Sequence, residues 1–281
     1  MCARIQIHRW GARKNDDSTS REVAQSKHAN PDLVRVTKQL LKSTALDEFR
    51  KVARQCKKTH KYLTVPWDDG VGLLPTENYL RYTEEIGEKR REAMGIADEF
   101  VKEYTAQWQN GLSDYRRQQE GLGDVFDESD YPEPKYVKEK FGIDVRLYPI
   151  PDPNDFRVKV SGDVASTLKT QMMKDFRNDL QQASRVPIIR LHKLVKHLHE
   201  MLLNDEARLH ASLIGNVQEL IEILPTLNIF DDPELNNLIK QTDKTICSVS
   251  DMKALKKDPL YRKEVAKSAA SILKQMKGYV S

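Results

Sequence analysis

The chain has 281 residues, with 46 Lys and Arg against 42 Asp and Glu, a net charge of +4 and 31% charged residues. Twelve Gly, twelve Pro and 7% aromatics in so charged a chain point to long solvated helices, not to a sandwich or barrel. Its mean hydropathy is −0.65, and no run approaches the roughly 18 apolar residues of a membrane span. Met1–Trp10 lacks the apolar run of a secretory leader. Three isolated cysteines, Cys2, Cys56 and Cys247, form neither a disulfide framework nor a ligand cluster. A cytoplasmic setting, in a reducing compartment, is the expectation.

Ile5-Gln6-Ile7 reads as a short strand over 4–8, followed by Trp10-Gly11. The polar stretch 15–30 reads as a loop. Asn30-Pro31 then predicts an N-cap and first helical residue, opening a helix over 31–62 with Leu33, Leu40, Leu41, Phe49, Val52 and Cys56 on its stripe. Its weakest point is Ser43-Thr44. Pro66, Gly70 and Gly72 break the pattern as a turn. A second helix is expected over 75–118, with Tyr79, Ile86, Ala93 and Phe100 spaced by seven and Thr83, Arg90, Ala97 and Tyr104 between them. That period is a coiled-coil-like seam; about 44 residues at ~1.5 Å each extend roughly 65 Å.

After an acidic, Gly- and Pro-containing turn at 119–134 the period changes to two. Ile143, Val145 and Leu147, then Phe156, Val158 and Val160, predict a β-hairpin over 141–160 around a Pro-rich loop. Two strands are marginal alone, and 4–8 is the third. A long helix is expected over 163–203, kinked or split by Pro187. C-terminal helices follow over 204–277. Pro225 closes one of them, Asp232-Pro233 and Asp258-Pro259 open two others, and Leu227 and Ile229 anchor the corner between.

The fold class is therefore mostly α with a small β-sheet (α+β). A long antiparallel helical hairpin, 75–118 against 163–203, carries a three-stranded antiparallel sheet at one end, in a single elongated domain.

Charge is unevenly spread. Residues 1–61 hold 15 Lys and Arg against 6 Asp and Glu, and residues 62–134 hold 7 against 17. The plain interpretation is that basic and acidic helices lie together and partly cancel; a nucleic-acid surface is the alternative. Two basic rows are candidate partner or DNA contacts: Arg185, Arg190, Lys193 and Lys196 in one helix, and Arg50, Arg54, Lys57 and Lys58 in another. Such rows neutralise phosphates without reading bases. Stacking aromatics are scarce beside them.

Searches for chemistry return nothing specific. Gly70-Val71-Gly72 lacks the Gly-Lys-Ser/Thr of a phosphate loop. His192, His197 and His199 have no cysteine or second ligand motif beside them, so no metal site is expected. No Gly-x-Ser-x-Gly occurs. The sequence argues against an enzyme, with no catalytic residue and no cofactor.

The opening Ile5-Gln6-Ile7-His8-Arg9-Trp10-Gly11-Ala12-Arg13-Lys14 resembles that of an uncharacterised phage and conjugative-element family, domain of unknown function 3150. The 141–145 and 155–158 blocks and the Leu220–Ile229 stretch with Asp231-Asp232-Pro233-Glu234-Leu235 are similar to later parts of that family. The resemblance carries no activity and no catalytic residues. It implies company: a MoxR- or CobS-like AAA+ ATPase and a CobT-like von Willebrand A protein, and in some elements single-strand annealing recombination genes. The expected function is accordingly a non-enzymatic adaptor of a mobile element in a bacterial host cell, acting through protein contacts with an oligomeric state left open. A DNA-binding accessory factor in phage or plasmid recombination is the alternative.

Overall fold

A computed structural model describes residues 1–150, 162–204, 206–249 and 252–280. The chain begins with β1 (Cys2–His8) and β2 (Arg13–Asp16). α1 (Asp17–Ser26) follows, started by the Asp16 carboxylate, which accepts the Thr19 N–H at 2.9 Å. Asn30-Pro31 does act as a cap, but only for a single 3-10 turn at Pro31–Leu33, after which the chain runs into β3 (Val36–Gln39). The helix expected over 31–62 is thus α2 (Thr44–Leu63). Its predicted weak point is its start, where the Ser43 hydroxyl accepts the Leu46 N–H. Val34, Val36 and Thr37 are β-branched and suit an extended chain.

β4 (Val65–Asp68) and β5 (Val71–Leu73) form a hairpin where a plain turn was expected. Gly70 supplies the positive φ of +68°, and Asp-Gly between apolar residues is the hairpin signal. α3 (Tyr79–Gln109) ends nine residues before the predicted 118, at Gly111 and Leu112 with φ of +64° and +55°. The later elements are α4 (Ser113–Arg116), α5 (Pro134–Glu139), β6 (Gly142–Tyr148) and α6 (Gly162–Leu203). α6 passes Pro187 without being split. α7 (Ser212–Leu227), α8 (Pro233–Thr242), a π-helical turn (Asp243–Cys247), α9 (Met252–Lys257), α10 (Pro259–Gln275) and α11 (Lys277–Val280) complete the chain. The Asp232 and Asp258 carboxylates cap α8 and α10 as predicted.

The strand count differs from the three expected. Among the described residues one sheet has four strands in the order β4-β5-β1-β6 and a second pairs β2 with β3. β1 runs antiparallel to β5, with Cys2 opposite Leu73 and Arg4 opposite Val71. The predicted strand at 155–160 lies outside the described residues.

Contacts divide the chain into two compact units. The first comprises 1–4, 60–82 and 146–281. Here α6 packs along α10 and against α7, α11 and β4, burying Leu191, Val195, Leu198, Val217, Leu224, Ala269 and Ile272. The expected hairpin of 75–118 with 163–203 is not confirmed: within its unit α6 packs on the C-terminal helices and β4, and most of α3 belongs to the other unit. Pro225 sits in the last turn of α7 and does not end it. Leu227 is buried, but Ile229 is 37% exposed; the corner is fixed instead by Asn228, bonded to the Asp232 backbone and to Asn236.

The second unit comprises 5–59 and 83–145. α2 buries Leu46, Phe49, Val52 and Cys56, while α3 buries Ile86, Ala93, Ala97, Phe100 and Tyr104. Phe141 bridges them edge-on, to Phe49 of α2 at 5.1 Å and to Phe100 of α3 at 5.8 Å. The seven-residue seam is real at these positions and fails at Thr83 and Arg90, which are exposed.

Candidate anion-binding site on the basic helix

On α2 the apolar positions face the core, which leaves 47, 50, 54 and 57 along one outer stripe. Arg9 follows β1 with the parity of Ile5 and Ile7, so the strand hands it to the side of the sheet that α2 covers. Arg9, Arg50, Arg54 and Lys57 then surround a cavity of about 460 Å³, with Ile7 and Ala53 as its apolar wall and Asp47 as its lone carboxylate. An adjoining cavity of about 350 Å³ shares Asp47 and Arg50 and continues past Leu46, Thr44, Ser43 and Lys42.

Arg50 Nη1 donates to Asp47 Oδ1 at 2.6 Å, from a side chain 29% exposed to one 71% exposed. Among the described residues, Arg9, Arg54 and Lys57 have no carboxylate within ion-pair distance. The cavity walls hold no nucleophile paired with a base. What this arrangement can do is hold an anion.

The structure divides the predicted contact residues. It gathers Arg50, Arg54 and Lys57, and adds Arg9. Lys58 is exposed but does not line the cavity. The other row is not a continuous surface. Arg185 and Lys193 are exposed, and Lys196 lies 3.9 Å from Glu200 one turn on. Arg190 turns inward: its Nη2 donates to Thr64 O at 2.7 Å and its Nη1 to Tyr62 O at 3.4 Å. Asn78 Nδ2 donates to Leu63 O, and the Thr64 hydroxyl to His60 O. Together they satisfy the carbonyls that the end of α2 leaves without helical partners. Burial pushes the Arg190 guanidinium down to about 10. Arg262 does the same for α6, bonding Leu202 O, Met201 O and Asn204 O.

His192 is half-buried and held below the ordinary histidine value by burial and by Lys196. Among the described residues no three metal-binding side chains converge, and no helix is long and apolar enough to cross a membrane. Burial pushes the Cys2 and Cys56 thiols up, away from the reactive thiolate. No family model, no curated protein and no solved structure matches the chain.

Sequence reasoning missed Arg9 and Asp47. The available signals were the i, i+2 parity of Ile5, Ile7 and Arg9, and the i, i+3 spacing of Asp47 and Arg50.

Proposed function

We propose that this chain is a non-enzymatic accessory protein that holds the phosphate backbone of a nucleic acid in the basic cavity beside α2. The observation that carries the reading is the gathering of Arg9, Arg54 and Lys57 around one cavity with no carboxylate partner among the described residues. Unpaired guanidinium forks fit phosphate oxygens in bidentate fashion. The walls hold no aromatic ring on which a base could stack, so contact is with the backbone and independent of sequence. A cytoplasmic, mobile-element setting belongs to the same proposal and follows from the resemblance of the 5–14 and 220–235 blocks.

The adaptor reading, with an AAA+ ATPase and a von Willebrand A protein as partners, rests on that resemblance. It would place an acidic protein face on the same cations. The test is fluorescence anisotropy with labelled single- and double-stranded oligonucleotides. The wild type binds both at low salt, and the triple variant Arg9→Gln, Arg54→Gln, Lys57→Gln loses binding while keeping its helical circular dichroism. The double variant Lys193→Gln, Lys196→Gln binds as the wild type does. No binding by the wild type even at low salt would remove the nucleic-acid reading and leave the acidic protein face.

A further inference from the structure

One carboxylate lies within the row of cations beside α2. Asp47 is the one acidic residue in the lining of either cavity along α2, and both cavities share it with Arg50. It is 71% exposed at the side chain and bonded to Arg50 at 2.6 Å. On the outer stripe the order is Asp47, Arg50, Arg54, Lys57, so the carboxylate lies at the end of the row and takes its first cation. Arg54, Lys57 and Arg9, which have no carboxylate partner among the described residues, lie beyond it.

We infer that Asp47 is a built-in phosphate mimic that occupies Arg50 and holds it back from an incoming nucleic-acid backbone. This rests on the phosphate-binding reading above and adds to it how the site limits its own affinity. The physical argument is competition. A carboxylate and a phosphate both accept the two parallel N–H bonds of one guanidinium. An exposed pair of this kind is weak, so freeing Arg50 gives a small gain in affinity. With Asp47 in place the cavity offers three free cations, and with Asp47 neutral it offers four and no repelling charge. When Asp47 is neutral, one Arg50–phosphate pair forms in place of the Arg50–carboxylate pair, and the counterion of that phosphate goes to solvent.

The experiment compares the wild type, Asp47→Asn and Glu48→Gln in binding a duplex oligonucleotide across a salt series. Glu48 is exposed and outside both cavities, so Glu48→Gln changes net charge by the same amount without freeing Arg50. Asp47→Asn is expected to bind about two- to fivefold more tightly, the worth of an exposed ion pair. Its log–log salt dependence steepens by about 0.9, one added phosphate contact. Glu48→Gln shows neither change. Asp47→Ser, which also removes the charge, repeats the gain and guards against an effect particular to asparagine. Equal affinity and slope in the wild type and Asp47→Asn would overturn the inference while leaving the phosphate reading standing. So would an equal gain in Glu48→Gln. Failure of all the variants to bind would overturn both.

Discussion

At the scale of single residues, identical side chains divide by where their partners sit. Arg50, Arg54 and Arg190 look alike in a row of basic residues. Arg190, however, finds the end of α2 more than a hundred residues back in the chain. Replacing it with Met keeps the stem and removes the donors, leaving buried carbonyls unpaired. The expected loss is about 1–3 kcal/mol in urea unfolding. Lys193→Gln on the next turn should stay within about 0.5 kcal/mol. Gly72 is fixed by the same corner. A Cβ there would lie 2.2 Å from the Thr64 hydroxyl oxygen, which is itself bonded to His60 O. Gly72→Ala should therefore cost about 1–3 kcal/mol as overpacking, read as a lowered Tm; a melt equal to the wild type's would show that the hairpin shifts freely.

At the scale of elements, the β2–β3 ribbon is locked by charge. Lys38 reaches Asp130 at 2.6 Å and Asp16 at 3.4 Å, and Lys14 reaches Asp130 at 2.6 Å, with both carboxylates and Lys38 nearly enclosed. Removing the shared carboxylate with Asp130→Asn leaves the enclosed Lys38 with Asp16 as its remaining carboxylate among the described residues and should cost about 3 kcal/mol, as for a broken buried pair. The pair Asp47–Arg50, exposed, should be worth less than about 1 kcal/mol. The Thr19 N–H, then the Ser18 hydroxyl, hold Asp16 well below its ordinary 3.8. A depressed carboxylate stabilises the fold above 3.8 and loses that contribution as pH falls through its folded value. Burial opposes the charge of Lys38, but Asp130 and Asp16 outweigh it and raise it above 10.5. Its contribution is complete below 10.5 and disappears as pH rises through the folded value. Stability measured by urea across pH should hence fall at both ends, and Asp16→Asn should remove part of the acid fall and, because Asp16 also raises Lys38, a part of the alkaline one.

The same elements show what could be read in advance. Caps written in adjacent residues, Asp232-Pro233 and Asp258-Pro259, were legible because the cap and the helix it starts are neighbours. So were β6, from its period of two, and the inward positions of α2 and α3, from theirs. The β2–β3 ribbon was not, because four-residue strands carry too few alternations and their closing charge, Asp130, lies about ninety residues away. β4 and β5 hid in what looked like a helix break, although Asp69-Gly70 was present. Of the site, Arg50, Arg54 and Lys57 were legible as one face of a helix. Arg9 joined them only because β1 lies beside that helix, a fact of tertiary structure. The expected α3–α6 pairing is not confirmed, for a related reason. Two amphipathic helices each need a partner, but periodicity does not say which one.

At the scale of the whole molecule, near-neutrality hides the row that matters. Residues 5–59 hold 13 Lys and Arg against 6 acidic residues, and residues 83–145 hold 9 against 16, so the unit that carries the cavity is neutral in total. Part of that cancellation is direct contact, Lys14 and Lys38 on Asp130; on the α2 stripe Arg50 alone is so paired among the described residues, with Asp47. A neutral unit exerts little long-range steering. Affinity for nucleic acid must then come from the few cations that touch phosphates, and the salt dependence counts them. Three free cations, Arg9, Arg54 and Lys57, predict a log–log slope of about −2.7 on duplex DNA, near 0.9 per phosphate. Between 50 and 200 mM salt that slope weakens binding by about 40-fold. Each single change of those three to Gln should shallow the slope by about 0.9, whereas Lys58→Gln, outside the cavity, should leave it unchanged. A slope near −1, or one that all four changes shift alike, would mean that the anion is held by diffuse charge and that the cavity beside α2 is not where it binds.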